Sequence, residues 1–299
     1  MKHSILGAVC LALAASIWGG MYVVSKYVLQ SVPPFTLLWL RYVIAVLVLS
    51  AILWKTGRYR IEKRDWLLMA WIGFVGYFVS VGAQFVGTKL SDAHTGALLT
   101  SASPAFILLF ARWLLNEPIT LRKCVSLVLS TAGVIAVIGW NGGNEGSLPG
   151  NICLVVAAVT WALLSVFAKR AMARYPALTV TTYALLFAVF FTTPAMLLES
   201  GKPGVAVLLD PLIGAGILYL GIVSTAGAFL LWNKGMELMD AGIGSLYFFF
   251  QPVVGTLLGW LLLDERLHWN FFIGGCLIIA GVMIATVQTT GRTSVSNLR

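Results

Sequence analysis

The side chains of this chain that could do chemistry are single polar or aromatic groups set inside long apolar segments. Ser103 stands beside Pro104, and Gln251 stands beside Pro252, in two segments made mostly of aliphatic and aromatic residues. A hydroxyl and an amide donate and accept hydrogen bonds, and a few such groups in an apolar pocket orient a small molecule. The chemistry they indicate is reversible binding.

Both prolines are expected to break a helix near its centre. Each removes a backbone donor and crowds the carbonyl four positions earlier, which belongs to Thr100 in one case and to Phe248 in the other. In lipid, such freed groups persist only where protein or a watery cavity satisfies them. Two interpretations stay open: a bend solvated by neighbouring helices, or a central substrate site with a hinge at Pro104 and Pro252.

Aromatic residues recur at matching positions of the two halves of the chain. Trp18 corresponds to Trp161, and both lie deep in their segments, where the interfacial role common for tryptophan explains them poorly. They either line a cavity or pack in the core. A cavity with aromatic walls and a few polar groups would suit an amphipathic metabolite. The residues expected to bind it are Trp18, Tyr22, Gln84, Thr100, Ser103, Trp161, Ser165, Trp232, Tyr247 and Gln251.

Ionisable residues within the apolar segments are few, and in a membrane such residues suggest function by default. Arg41 lies about two turns into its segment, where it either pairs with helix-end carbonyls or attracts the carboxylate of an anionic substrate. Lys26 is expected to extend to the interface, and Glu117 and Glu265 to stand at helix ends. His94 is a candidate proton relay.

Several kinds of reaction centre are missing from the sequence. No Asp or Glu lies in the middle of an apolar segment, so the sequence offers no residue for a carboxylate proton relay. No nucleotide-binding, HExxH or GxSxG motif occurs, which argues against an ATP-driven pump and an intramembrane hydrolase. The four cysteines form no CxxC or Cys/His cluster. We therefore expect no enzyme activity, no metal and no cofactor.

The composition is that of a protein that crosses a membrane many times. Of 299 residues, 59% are hydrophobic and 10% are charged, whereas soluble domains carry roughly 25% charged residues. A helix needs about 20 residues to cross the hydrocarbon core. The sequence predicts an all-α polytopic protein with ten spans, at about 5–28, 35–54, 66–87, 93–115, 121–139, 149–172, 177–198, 211–233, 241–263 and 269–288.

The chain repeats itself, and each copy holds an odd number of spans. Residues 7–33 match a stretch 143 positions later, and residues 93–133 match one 148 positions later. After five crossings the second copy must run upside down relative to the first, as in transporters with alternating access. The predicted units are a first five-helix repeat (1–139), a linker loop (140–148), a second five-helix repeat (149–288) and a disordered cytoplasmic tail (289–299).

Basic residues set the predicted orientation. Of the 20 Lys and Arg residues, Lys26 and Arg41 fall within spans and only Lys89, Lys202 and Arg266 fall in loops on one side, which leaves 15 for the other side. The positive-inside rule then places both termini in the cytoplasm of a multi-pass cell-membrane protein. The net charge of +9 thus reflects topology, and we expect a lipid bilayer and no nucleic acid as partners.

Short motifs in a fixed order resemble the EamA family of the drug/metabolite transporter superfamily over nearly the whole chain. In the first half these are Trp18-Gly19-Gly20, the run from Pro34 to Arg41-Tyr42, Asn116 to Thr120, and Thr131 to Val134. The second half carries them more loosely, as Trp161, Gln251-Pro252, Asp264-Glu265 and Ala280 to Val282.

The resemblance implies two inverted five-helix repeats around a central cavity formed by the first, third, fourth, sixth, eighth and ninth helices. It also implies export of amino acids or other small metabolites. Small multidrug-resistance relatives use a glutamate in their first helix, whereas the first helix here has no acidic residue. We therefore predict alternating-access export of neutral or zwitterionic amphipathic metabolites, by a monomer or homodimer. The alternatives are a drug or nucleotide-sugar carrier, a lipid-modifying membrane enzyme, and a non-transporting assembly protein.

Overall fold

The computed structural model describes residues 2–57, 60–90, 99–138, 148–201, 203–263 and 269–286, and within these ranges every regular secondary-structure element is a helix. In this part of the chain, seven helices are regular and three are composite. The regular ones are α1 (Lys2–Val28), α2 (Pro34–Thr56), α4 (Ser103–Leu114), α5 (Leu121–Ile138), α6 (Leu148–Met172), α7 (Ala177–Leu198) and α10 (Trp269–Thr286).

The composite helices change their hydrogen-bonding pattern along their length. Two contain a π-helical segment: α3 consists of Trp66–Trp71, the π-helical Ile72–Ser80 and Val81–Leu90, and α8 of Pro211–Leu218, the π-helical Tyr219–Gly227 and Ala228–Leu238. The third, α9, joins Ala241–Ser245, a 3-10 segment Leu246–Phe249 and Phe250–Leu263. Single turns flank them at Lys63–Asp65 and Val205–Leu208. π-Helical turns inside α-helices occur often at functional sites.

Eight of the described helices are long and apolar enough to cross a membrane: α1, α2, α3, α6, α7, α8, α9 and α10. The predicted span 93–115 corresponds to α4, a shorter apolar helix of 12 residues, and its first part lies outside the described residues. The predicted span 121–139 corresponds to α5, of 18 residues, which does not belong to this set of eight. The predicted linker and tail lie outside the described residues, except that Leu148 begins α6.

Local residues explain where several helices begin and end. α2 begins with Pro34 in its first turn and ends at Gly57, whose φ of 67° is the left-handed conformation that stops a helix. Asp210 accepts hydrogen bonds from two N–H groups in the first turn of α8, next to Pro211. Asp240 caps α9 in the same way. The spans are therefore delimited by capping chemistry as well as by hydrophobicity.

Each of the two prolines expected to break a helix follows an interruption of regular α-helix: residues 101–102 form a turn before Pro104, and the 3-10 segment Leu246–Phe249 precedes Pro252. Pro104 is the second residue of α4, and Pro252 is the third residue of the last segment of α9. Proline fits there because the first-turn N–H groups have no partner within the helix. The hydroxyl of Ser103 donates to the carbonyl of Thr100 at 2.7 Å. A neighbouring hydroxyl thus satisfies the Thr100 carbonyl, and the choice between a solvated bend and a hinge at Pro104 and Pro252 stays a prediction.

The surface is apolar and the interior contains polar groups, as lipid requires. Large apolar side chains such as Leu47, Trp54 and Phe190 are exposed, whereas Arg41 and Gln251 are buried. Extended apolar surface on a helical protein of this kind faces the bilayer. The chain is a multi-pass membrane protein.

Loops that follow different helices meet at the two ends of the bundle. At one end, Asp65 accepts a hydrogen bond of 2.7 Å from the hydroxyl of Tyr175, which joins the start of α3 to the end of α6. At the other end, Glu199 accepts a hydrogen bond of 2.7 Å from the N–H of Thr36, which joins the end of α7 to the start of α2. Both contacts agree with a chain that alternates between the two ends.

Candidate functional site

A cavity of about 40 Å³ lies between helices from both halves of the chain. This volume holds only a few water molecules. The residues lining it are Trp18 and Met21 of α1, Arg41 of α2, Ser80, Val81 and Gln84 of α3, Thr100 and Ser103 at the start of α4, Ala157 and Trp161 of α6, Phe229 of α8, and Phe248 and Gln251 of α9.

Most of the residues expected at a binding site are brought together by the fold. Seven of the expected contacts line the cavity: Trp18, Arg41, Gln84, Thr100, Ser103, Trp161 and Gln251. Trp232, Tyr247 and Ser165 are buried but do not line it. The side chains of Tyr22 and Lys26, and all of His94 and Glu265, lie outside the described residues.

Five aromatic rings pack together beside the cavity and are here called the aromatic cluster: Trp18, Trp161, Phe229 and Phe248, which line it, and Trp232. The ring centroids of Trp18 and Trp161 are 5.2 Å apart and the rings meet edge to face at 85°. Trp232 packs behind them, with its centroid 5.4 Å from that of Trp18. Edge-to-face aromatic pairs are stabilising. The two interpretations of the tryptophans therefore both hold, because one cluster forms the core and the cavity wall.

Two indole donors in this cluster are buried without a hydrogen-bond partner among the described residues. The Nε1 of Trp18 donates to the carbonyl of Ser224 at 3.0 Å, whereas the Nε1 atoms of Trp161 and Trp232 and the hydroxyl of Ser165 are unpaired. Buried donors of this kind usually have partners. Because Trp161 lines the cavity, its N–H is a group that a bound molecule or water can satisfy.

Arg41 is the one charged residue among the described residues that line the cavity. Its Nε donates to the hydroxyl of Thr225 at 2.7 Å, and its Nη2 contacts the hydroxyl of Ser224 at 3.4 Å. The guanidinium also lies over the ring of Phe85, 5.9 Å from the centroid. These are side-chain contacts in the middle of α8 and α3, so the expected pairing with helix-end carbonyls is wrong.

A network of neutral hydrogen bonds supports the cavity from α2, α3, α7 and α8. The amide nitrogen of Asn233 donates to the hydroxyls of Tyr77 at 3.2 Å and Thr181 at 2.8 Å. The hydroxyl of Tyr42 donates to the carbonyl of Tyr77 at 2.7 Å. Tyr77 in turn packs on Phe229 of the aromatic cluster, with centroids 4.8 Å apart.

A second group of polar side chains, here called the charge cluster, is partly buried at the end of the bundle where α4 ends and α9 begins. Lys123 contacts Asp240 at 2.7 Å, and Lys169 contacts Glu117 at 3.7 Å. Glu117 also accepts hydrogen bonds from the first two N–H groups of α9, at 2.8 and 3.1 Å. Glu117 does stand at a helix end, as expected, but it caps α9 across the bundle.

The pKa values of the two carboxyl groups of the charge cluster, Glu117 and Asp240, are shifted in opposite directions. Burial and the neighbouring Asp240 raise the pKa of Glu117 above its ordinary value. Burial also acts to raise the pKa of Asp240, but hydrogen bonds from Glu117 and Lys123 outweigh it and lower that pKa. Pairs of interacting acids commonly separate in this way.

A larger groove of about 620 Å³ opens near the start of α3 and the end of α6. Its basic residues include Arg64 and Arg174, both more than half exposed, and each makes an ion pair with an acidic neighbour at the surface. The central cavity is the stronger candidate site because most of its polar groups are buried, whereas Arg64 and Arg174 of the groove are exposed and already paired.

Sequence reasoning missed several lining residues, namely Met21, Ser80, Val81, Ala157 and Phe229. Ser80 and Val81 lie where the π-helical segment of α3 ends. A π-helical turn rotates the helix face by an amount that hydrophobic periodicity does not reveal. Phe229 is one of many phenylalanines in apolar segments, and nothing in the sequence distinguishes it.

Comparisons with known proteins agree on a family and a fold. The model of the EamA-like transporter family matches residues 5–139 and again residues 148–287. An uncharacterized transporter of Bacillus subtilis, YetK, is 27% identical over 296 residues, covering 96% of this chain and 89% of its own length. An uncharacterized transporter of Archaeoglobus fulgidus is 26% identical over 288 residues, covering 93% and 96%. A solved crystal structure superposes with a TM-score of 0.80 at 24% identity, over 94% of this chain and 96% of the other.

Proposed function

This chain belongs to the EamA-like transporter family, and we propose that it exports small metabolites, amino acids or related amphipathic compounds, across the cell membrane by alternating access. Its relatives are transporters by name, which supports transport and leaves the substrate and direction to be tested. The proposal places both termini in the cytoplasm, as the distribution of basic residues favours.

We further propose that the two halves are inverted repeats. Gly7, near the start of α1, and Lys169, near the end of α6, both contact Met239. Because α1 and α6 are matching helices of the two halves, this shared contact supports opposite directions. The π-helical segments of α3 and α8 and the two matches of the family model support the same arrangement.

The observation that carries the proposal is the cavity, which combines a mostly apolar lining with a few buried polar groups and is built from both halves. A site at the interface of two repeats becomes accessible from either side when one repeat rocks against the other. The present volume fits water rather than a metabolite, so binding requires an opened state. The charge cluster links α4, α6 and α9 at one end and would have to separate when that end opens.

Within this mechanism the lining residues have distinct roles. The rings of Trp18 and Trp161 would bind the apolar part of the substrate, since aromatic faces bury large area with defined geometry. The amide of Gln251 and the hydroxyl of Ser103 would bind its polar part. Tyr247 is stacked on Phe250 at 6.0 Å and does not line the cavity, so we assign it a packing role.

Flux measurements in proteoliposomes with a panel of radiolabelled amino acids test the proposal. We expect Trp161→Ala and Gln251→Ala to lower substrate flux at least about tenfold, which corresponds to about 1.4 kcal/mol of lost interaction. The matched controls are Trp54→Ala and Gln30→Ala, whose side chains are exposed. Unchanged flux in both cavity variants, with folding verified, would remove the site assignment. Absence of flux for the whole panel, and for added drugs and nucleotide sugars, would favour an assembly role.

A further inference from the structure

The positive charge in the central cavity is not neutralised by any described residue. Arg41 is only 1% exposed. Its contacts are the hydroxyls of Thr225 and Ser224, the sulfur of Met21 at 3.5 Å and the ring of Phe85. None of these groups carries a negative charge, and no carboxylate of the described residues makes an ion pair with it.

One arm of the guanidinium also has no hydrogen-bond partner. The Nη1 of Arg41 is buried and unpaired among the described residues, while Nε and Nη2 are held by hydroxyls. Thr225 itself donates to the carbonyl of Leu220 at 2.6 Å, so this part of the π-helical segment holds the arginine in place. The guanidinium is therefore oriented in advance and retains donor capacity at the cavity.

A buried cation without a counter-ion is costly, because desolvation is not repaid by Coulombic attraction. An occupant that brings one negative charge recovers this free energy, and a carboxylate matches the planar guanidinium well. A neutral occupant recovers little of it. A cationic occupant would add repulsion, and the described lining residues offer no carboxylate for an ammonium group.

We propose that the substrate is an organic monoanion whose carboxylate binds the Nη1 of Arg41 and whose aromatic or branched apolar part packs on the aromatic cluster. This rests on the proposed function and narrows it: a net negative charge replaces the neutral or zwitterionic substrate expected from the sequence. Arg41 stands on α2, a helix that the family resemblance did not place at the cavity, and it acts as the specificity-determining residue.

Binding to the purified full-length protein in detergent, measured by calorimetry, tests this with four probes that share a benzyl group and differ in charge. They are phenylacetate, phenylacetamide, phenethylamine and phenylalanine. We expect phenylacetate to bind at least tenfold more tightly than phenylacetamide and phenylalanine, and phenethylamine to bind most weakly. Equal binding of the acid and the amide, or no binding of the acid, would overturn the proposal.

Variants then test whether the preference for the acid over the amide depends on Arg41. Arg41→Gln should reduce the acid-over-amide ratio to less than about threefold, and Arg41→Lys should keep part of it because it keeps the charge. Arg112→Gln, at an exposed position of α4, serves as the control and should bind like the wild type. If Arg41→Gln does not fold, the probe series on the wild type and Arg41→Lys still decides, since a lysine variant without any acid preference overturns the assignment.

Flux measurements distinguish a failure of the anion site from a failure of the proposed transport function. Tight phenylacetate binding that depends on Arg41, without any flux in proteoliposomes, would keep the anion site and reject the transporter mechanism. Undiminished flux of neutral or zwitterionic solutes in Arg41→Gln would keep the transporter and reject the anion site.

Discussion

At the scale of single residues, Asn233 joins three helices through one amide group. Its nitrogen donates to Tyr77 of α3 and Thr181 of α7, and Asn233 itself belongs to α8. All three side chains are buried. If the amide of Asn233 were removed, the hydroxyls of Tyr77 and Thr181 would each lose a hydrogen-bond partner that water cannot replace. This network fixes Tyr77 against the aromatic cluster and thereby shapes the cavity wall.

Replacing this residue should therefore cost stability. We expect Asn233→Ala to lower the free energy of unfolding by about 1–3 kcal/mol, since it leaves buried polar groups unpaired. The measurement is thermal unfolding of purified protein in one detergent. Asn270→Ala, at an exposed position of α10, is the control and should melt like the wild type. Equal melting of the two variants would show that the network does not stabilise the fold.

How far the sequence predicts the site depends on the kind of residue. Trp18, Trp161 and Gln251 are found because they are uncommon side chains at matching, deeply apolar positions, and lipid makes such residues informative. Asn233, Tyr42 and Tyr77 are missed because their partners are far away in sequence and show no local pattern. Trp232 is expected at the cavity but packs one layer behind it, since spacing along a helix does not give depth.

At the scale of helices, α5 and α10 pack closely because two glycines face each other. A Cβ added to Gly274 would lie 2.4 Å from the carbonyl oxygen of Gly133 and 2.6 Å from a methyl group of Val137. Membrane helices use small residues for such contacts, since lipid provides no hydrophobic drive for association. Gly133 and Gly274 lie far apart in the sequence, so no local pattern indicates that α5 and α10 pack together.

Adjacent glycines of α10 provide a matched test of this contact. Gly274→Ala should destabilise the protein by about 1–3 kcal/mol, because backbone atoms must move to admit a methyl group. Gly275→Ala meets no atom within 4 Å, and it should be neutral or stabilise by up to about 1 kcal/mol because alanine favours the helix. Thermal unfolding of both variants measures the difference. A Gly274→Ala protein as stable as Gly275→Ala would contradict the close packing.

The contact between the α4–α5 loop and the start of α9 should make stability depend on pH. The pKa of Glu117 is raised in the folded protein, so its favourable contribution is complete below the ordinary value of 4.5 and is lost as the pH rises through the folded pKa. Glu117→Gln cannot ionise, so the variant does not lose stability in this way as the pH rises. We expect the melting temperature of the variant, relative to the wild type, to rise as the pH increases from about 5 to 8.

The test is how the difference in melting temperature between Glu117→Gln and the wild type changes with pH. The size of that difference at any single pH is uninformative, because the glutamine lacks one hydrogen-bond acceptor at every pH. Glu62→Gln, at a mostly exposed surface position, is the control and should follow the wild type over the same range. A difference between Glu117→Gln and the wild type that stays constant with pH, or falls, would mean that Glu117 is ionised in the fold throughout.

At the scale of the whole molecule, the proposed inversion of the two halves would fix which loops share a side. Position 62 follows the second helix of the first half, and position 173 follows the first helix of the second half. In parallel halves these positions would lie on opposite sides. The N–H of Glu62 donates to the hydroxyl of Tyr175 at 3.2 Å, which places the two loops together. The sequence predicts the same arrangement from an odd number of spans per repeat.

Labelling of single cysteines in whole cells tests inversion and orientation together. In a background without Cys10, Cys124, Cys153 and Cys276, we expect Glu62→Cys and Ala173→Cys to react with an impermeant maleimide only after permeabilisation, because basic loops stay in the cytoplasm. Ser200→Cys, in the loop after α7, should react in intact cells. All three positions are exposed, so burial does not mask the result. Opposite accessibility of positions 62 and 173 would rule out inverted halves, and with them a cavity that opens to each side in turn.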